Sequence, residues 1–226
     1  FLVIPHYWRW DAYAGRDFST PELLLTQARM LCMYLWQILV PLPSHMPFFY
    51  DWVQPSRSLL HPWTTLVSIV VVAGLLVLAW YVRRHRPLLA LGIFLFFSAH
   101  AITSNVLGLE LAFEHRNHFA MIGAVLAIGS LAASVWERLP VPASARIAAA
   151  VFVLAMLAST TAMRAKSWGD TLSLAQSSAK YAPHSARAWV ELCAAHFRSG
   201  GGPVAGNSHL DEAINACHSG TMLAPQ

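Results

Sequence analysis

Hydrophobic residues occur along this chain in long blocks, not in short periodic stripes. Between Trp63 and Met163 there are long runs without Asp, Glu, Lys or Arg, while both ends have ordinary polar composition. Four segments in that region predict bilayer-crossing helices: Trp63 to Val82, Leu88 to about Leu107, Phe119 to Trp136, and Arg146 to Met163. Each has about 18–20 residues, which at about 1.5 Å per residue matches a hydrocarbon core about 30 Å thick. Pro62 and Pro87 stand at the first turns of their helices, where a missing amide donor costs least. Trp63, Trp80, Tyr81 and Trp136 lie near the predicted ends, as an aromatic belt places them. Helices buried inside a large soluble protein are the alternative, and four in so short a stretch argue against it.

Outside these blocks the pattern changes. Pro21 to Pro41 is densely apolar, yet Thr26, Arg29 and Gln37 fall near one helical face together with Met33. Such a stripe predicts a helix (about 21–41) lying at the interface, or partly embedded with its polar face toward protein, in preference to a clean span. Pro41 to Pro62 is rich in proline and predicts a structured loop. After Met163, helices are expected over Trp168–Tyr181, Ser185–Arg198 and Ser208–Met222, with a Gly-rich loop at Ser199–Asn207. This tail resembles tetratricopeptide repeats. Trp189, Leu192, Cys193 and His196 occupy the large-large-small-large positions of a first helix. Ala213 and Pro225 are spaced as the small packing residue and closing proline of a second, and Pro183 would close the preceding repeat. The loop is longer than the repeat pattern and the aromatic expected at Cys217 is missing, so an unrelated helical hairpin stays open as the alternative. The predicted fold is all-α, a polytopic transmembrane helix bundle followed by a short tetratricopeptide-like tail. Its parts are 1–61 (extracytoplasmic or interfacial), 62–163 (four spans) and 164–226 (tail).

Composition sharpens this picture. Of 226 residues, 56% are hydrophobic and 12% charged, with mean hydropathy +0.48. A soluble domain carries about 25% charged residues, so half the usual supply is present. The net charge of +4 is small and its basic residues sit in loops, with no basic stripe interleaved by aromatics, which excludes nucleic acid as the expected partner. Arg83, Arg84 and Arg86 join the first pair of spans, and Arg138 and Arg146 border the link between the third and fourth. The positive-inside rule places those loops in the cytoplasm, and the loop Gly108–His118, the residues before Trp63 and the tail outside. The chain starts at Phe1 with no initiator Met, and Phe1–Pro5 reads as the exit of an earlier span, so the expectation is the C-terminal part of a longer protein.

The stretch His100 to His118 holds the candidate chemistry. His100 lies mid-helix, and Thr103, Ser104 and Asn105 make the outer end of its span polar. Polar groups at membrane depth face protein or a wet cavity and are often functional. Glu110 and Glu114 are four apart, so a continuing helix would stack them on one face. Three readings compete. A cation site would use Glu110, Glu114 and one or more histidines, a donor set that admits a divalent metal although no compact metal motif is present. An anion site would let Arg116 grip a phosphate bidentately, with His115 and Asn117 adding hydrogen bonds. The third is a charged interfacial loop with a structural role only. No cofactor is expected. Cys193 and Cys217 fall on facing helices of the tail, where a disulfide and two buried thiols are both plausible, and Cys32 reads as packing.

The run Leu109-Glu110-Leu111-Ala112-Phe113-Glu114-His115-Arg116-Asn117 resembles the PLELxFEHRNY signature of bacterial multi-spanning membrane proteins with C-terminal tetratricopeptide repeats. Thr26-Gln27-Ala28-Arg29, followed by Tyr34 and Pro41, is similar to the TQAR…Y…P segment of that family. Phe49, Asp51, Ser56, Leu60, Pro62, Thr64, Thr65 and Leu66 fit its FxD…S…L…P…TTL stretch, and Arg86-Pro87 and His100 fit as well. The family's acidic residue three after the mid-helix His is Thr103 here, and its Tyr after EHRN is His118. These proteins resemble the transmembrane, repeat-bearing O-mannosyltransferases. The resemblance implies a GT-C-type glycosyltransferase of the bacterial inner membrane that takes sugar from a polyprenyl-phosphate donor outside the cytoplasm. It also implies Arg116, His115, Asn117, Glu114, Glu110 and His100 as the donor-phosphate environment, an acidic catalytic loop upstream of residue 1, and a protein acceptor or partner on the repeat tail. A non-enzymatic membrane scaffold presenting the repeats is the competing expectation.

Overall fold

The computed structural model describes residues 18–105, 112 and 116–224. Among these every regular element is helical. The α-helices are α1 (Thr20–Leu39), α2 (Thr64–Val82), α3 (Pro87–Asn105), α4 (Asn117–Arg138), α5 (Ala143–Ser167), α6 (Thr171–Tyr181), α7 (Ala186–Ser199) and α8 (Leu210–Leu223), with a 3-10 turn at Pro43–His45. The chain divides into two compact units, one comprising residues up to Val40 with Pro55–Ala149, the other Pro41–Gln54 with Ala150–Gln226. The expected boundaries after 61 and 163 divide the chain by environment, whereas these units divide it by packing.

Three helices, α2, α4 and α5, are long and apolar enough to cross a membrane, which marks a membrane protein. The apolar part of α3, Pro87–Ala101, is shorter. No residue in the apolar window of α5 is buried, and Phe152, Leu154 and Ile147 are each about two-thirds exposed. Water does not tolerate an apolar surface of that extent, whereas lipid does.

In the first unit, α3 and α4 run antiparallel in very close approach. A Cβ on Gly123 would lie 2.5 Å from the Phe96 amide nitrogen and 2.6 Å from the Gly92 carbonyl. A Cβ on Gly92 would lie 2.6 Å from the Gly123 carbonyl. Ala120 and Ala124 continue the small face of α4 and are buried. Without a hydrophobic drive between helices in lipid, such small residues let backbones meet and gain dispersion contact. Ala79 of α2 packs with Ala90 and Ile93 of α3, joined by Phe94, Phe97 and Ala127.

Helix α1 is amphipathic in an inverted sense. Thr20, Leu23, Thr26, Gln27, Met30, Tyr34 and Gln37 are buried, while Leu24, Trp36 and Leu39 are exposed. The polar stripe expected over Thr26, Arg29, Met33 and Gln37 is therefore present but centred slightly differently. Thr26 and Gln37 are buried, Arg29 and Met33 half-buried. At the start of α1 the Ser19 amide and hydroxyl each donate to the Glu22 carboxylate at 2.8 Å, and Arg57 lies 3.1 Å from it. These groups, the Ser19 amide foremost, hold Glu22 down at about 2.

The second unit has a core of small residues: Ala175 and Ala179 of α6, Ala182, Ala188, Leu192 and Ala195 around α7, and Ala216 of α8, with Phe49 packed against them. Asp170 caps α6 by accepting from the Ser173 amide at 2.9 Å, and Ser185 caps α7 by accepting from the Ala188 amide at 3.0 Å. Asp51 accepts from the Ser185 hydroxyl and, at 3.3 Å, from the Arg187 amide, which sets a carboxylate at the positive end of α7. Asn207 braces the glycine-rich turn by donating to the Phe197 and Gly202 carbonyls, while Gly201, Gly202 and Gly206 take positive φ. Cys193 of α7 and Cys217 of α8 form a disulfide, which resolves the choice between bridge and buried thiols.

Gly123→Ala places a methyl against backbone and should destabilise the chain in detergent by about 1–3 kcal/mol. Gly129→Ala, with none of the described residues near its added Cβ, should show no loss in the same thermal-denaturation measurement. Alkylation of the denatured, unreduced chain should label only Cys32, and prior reduction should raise the labelled thiols to the full 3. Bridging a sequence separation of 24 contributes about 3 kcal/mol by loop-closure entropy, so Cys193→Ser should lower the melting temperature of the unit that holds it.

Candidate functional site

The antiparallel glycine contact aligns the far end of α3 with the first residue of α4. His100 is 1% exposed, and its Nε2 lies 3.1 Å from Oδ1 of Asn117, itself buried. With the Asn117 oxygen as acceptor, Nε2 carries the proton and Nδ1 is left as an acceptor. Nδ1 is buried and has no hydrogen-bond partner among the described residues. Tyr34 of α1 stacks on the imidazole, ring centroids 5.1 Å apart and 11° from parallel, and Phe96 meets it edge-on at 4.9 Å. Both rings are almost fully buried. The imidazole is thereby held by three helices and fixed in orientation.

Arg116 immediately precedes α4 as its N-cap residue and is 7% exposed, within electrostatic reach of His100. The first turn of α4 contains no acidic residue. Unpaired amides at a helix N-terminus carry partial positive charge, and Arg116 adds a permanent charge at the residue that precedes them. A planar donor fork beside oriented amides is suited to an oxyanion such as phosphate.

Of the residues singled out by sequence, His100, Arg116 and Asn117 are brought together. Glu110, Glu114 and His115 lie outside the described residues, as does the pairing of carboxylates that the cation reading needs. Among the described residues there is no group of three or more His, Cys, Asp or Glu side chains placed to hold a metal.

A second buried polar cluster stands in the same unit. The Thr26 hydroxyl donates to the Glu22 carbonyl at 2.6 Å and accepts from the Ser56 amide at 2.7 Å. The Ser56 hydroxyl accepts from Thr65 at 2.8 Å and from Arg29 at 3.3 Å. Thr26, Ser56 and Thr65 are fully buried. Sequence reasoning marked each of these residues, and Tyr34, by family resemblance, but not their meeting. A usable signal was the spacing 20, 23, 27, 30, 34 and 37 of inward positions on α1, which puts Tyr34 on the protein-facing side.

No protein-family model, curated protein or solved structure matches this chain.

Asn117→Ala should leave the His100 N–H buried without its acceptor, at a cost of about 1–3 kcal/mol in detergent-solubilised unfolding. Adding His100→Phe, which keeps an aromatic ring between Tyr34 and Phe96, should recover part of that loss. Equal and additive losses for the two substitutions would show that the pair is not energetically coupled.

Proposed function

We propose that this chain is the C-terminal part of a GT-C-type membrane glycosyltransferase, and that Arg116 binds the phosphate of a polyprenyl-phosphate-linked sugar. The observation that carries the reading is the buried guanidinium at the N-terminus of α4, beside an oriented His100–Asn117 pair. The guanidinium is permanently charged and planar, and a phosphate headgroup is an anion that such a donor fork grips bidentately. In the reaction, an acceptor hydroxyl attacks the anomeric carbon of the sugar. The bond from that carbon to the phosphate oxygen breaks, and polyprenyl phosphate leaves with the electron pair. Arg116 stabilises the charge developing on the leaving group, and His115 assists or orients it. The hydroxyl proton passes to a general base as the new bond forms.

The reading places the protein in a bacterial inner membrane with the site and the tail on the periplasmic side. Two features support that sidedness. The Arg83–Arg86 and Arg138–Arg146 links are the basic ones, as cytoplasmic loops are, and the tail carries a disulfide, as oxidising compartments permit. The α7–α8 hairpin would act as a tetratricopeptide-like surface holding the acceptor or a protein partner. A scaffold function is the second reading, favoured by the wholly exposed apolar window of α5, which offers a face to partner helices.

The test uses the full-length protein in membranes, with polyprenyl-phosphate-sugar consumption measured per molecule. Arg116→Lys keeps the charge and loses the fork, so it should impair turnover nearly as much as Arg116→Ala, a loss of about tenfold or more. Normal turnover per molecule in Arg116→Ala would remove the phosphate-binding role. Reduced membrane abundance with unchanged turnover would assign Arg116 to architecture and favour the scaffold.

A further inference from the structure

The second unit contains two adjoining cavities, of about 490 Å³ and about 300 Å³, which share Pro43, Met46, Arg164 and Trp168 as common wall. Their linings differ in kind. The larger is bordered by Arg164, Lys166 and Lys180, with the Ser173 and Ser177 hydroxyls, and among the described residues no Asp or Glu contributes to its wall. The smaller runs along α5 past Leu157, Thr160, Thr161 and Ala165. Thr160 and Thr161 donate their hydroxyls to the Leu157 carbonyl at 2.9 and 2.8 Å, so the groove they border has those donors turned back into the helix. Arg164 donates to the Met46 carbonyl at 2.8 Å, which fixes the guanidinium where the two cavities meet.

The position of this pair along the membrane-spanning helix is equally informative. At about 1.5 Å per residue, the 25 residues of α5 exceed a hydrocarbon core about 30 Å thick, so its last turn emerges at headgroup level. That turn carries Arg164 and Lys166, and exposed Trp168 follows it, the residue types that settle at a membrane–water boundary. A cationic chamber at headgroup level that opens into an apolar groove descending the span fits one class of molecule, an anion with a long hydrocarbon chain.

We infer that the Arg164–Lys166–Lys180 chamber binds the phosphate headgroup of an anionic phospholipid, with an acyl chain lying in the groove along α5. This goes beyond the donor site at Arg116, since it uses a different unit and different residues. A small soluble phosphate would satisfy the chamber and leave the groove without an occupant. A zwitterionic lipid would fill the groove and bring a trimethylammonium group to a chamber that has three cations in its wall.

The experiment uses the whole chain in phosphatidylcholine nanodiscs with increasing phosphatidylglycerol, the added lipid brominated on its acyl chains. Bromine quenches nearby tryptophan, and the difference between the chain and its Trp168→Phe variant isolates the Trp168 signal from the other tryptophans. Brominated phosphatidylglycerol should quench that signal at a mole fraction where brominated phosphatidylcholine does not. Lys166→Gln with Lys180→Gln should raise the half-quenching fraction by roughly fivefold per lysine. Ala165→Phe, which obstructs the groove, adds no tryptophan and retains every charge, should weaken quenching too, with circular dichroism and an intact Cys193–Cys217 bridge reporting folding. Arg83→Gln with Arg84→Gln removes the same charge elsewhere and should change nothing. Arg116→Ala should also change nothing, so this site and the donor site fail separately. Equal quenching by the two lipids would overturn the inference, as would an unchanged half-quenching fraction in the double lysine variant. Loss of quenching on adding inorganic phosphate, against chloride at matched ionic strength, would reassign the chamber to a soluble phosphate.

Discussion

The first unit depends on two glycines having no side chain. Gly92 and Gly123 let α3 and α4 approach until backbone nearly meets backbone, and the separation of every other pair along those helices follows from that contact. A single methyl at either position would meet main-chain atoms, which cannot rotate aside as a side-chain tip can. Because the helices are antiparallel, fixing them at the glycines also fixes which residues oppose one another further along. Phe96 lies against Gly123, and His100 reaches Asn117. The polar pair is a consequence of apolar packing.

That dependence explains the inverted character of α1. In water a helix turns its polar stripe outward, but α1 buries Thr26, Gln27, Tyr34 and Gln37 and exposes Trp36 and Leu39. Wherever a helix lies against lipid, which offers no hydrogen bonds, its polar groups must find partners within the protein. Thr26 finds the Ser56 amide, and Tyr34 covers the imidazole of His100. The buried polar residues of α1 add specific contacts between elements to the one that the glycines set.

Much of this was legible in the sequence, and the physical reason is solvent. A run such as Thr64–Val82 can be read without context because only one environment suits it. The ends of the tail helices and the Gly-rich loop were readable within a few residues, since capping serines, proline and glycine act locally. The first tail helix begins at Thr171, later than the expected Trp168. α5 continues to Ser167, and Trp168 lies in the turn before α6, because nothing local stops a helix at the membrane boundary. Nor could pattern alone show that Thr26 meets Ser56, or that Tyr34 covers His100. The first depends on α1 meeting the loop before α2, the second on α1 packing beside α3. A glycine in a hydrophobic run does not announce which backbone it faces. Gly74 and Gly129 lie in similar runs, and a Cβ on either would meet none of the described residues.

The segment carrying Phe49 and Asp51 has a further consequence. Phe49 packs into the core of the second unit, and Asp51 bonds to Ser185, 134 residues later in the chain. The unit therefore does not correspond to one continuous stretch of sequence. A nascent chain emits its first piece early and must hold it until the helices α2 to α5 have been made. Closure is a late event with a large loop to order, and the entropy of that loop is charged against the unit before any of its contacts form. Any excised version beginning after Met163 would lack an aromatic wall of its own core and the carboxylate at the head of α7, so the natural object for dissecting this tail is a split protein supplied with its missing strand of loop, not a truncation.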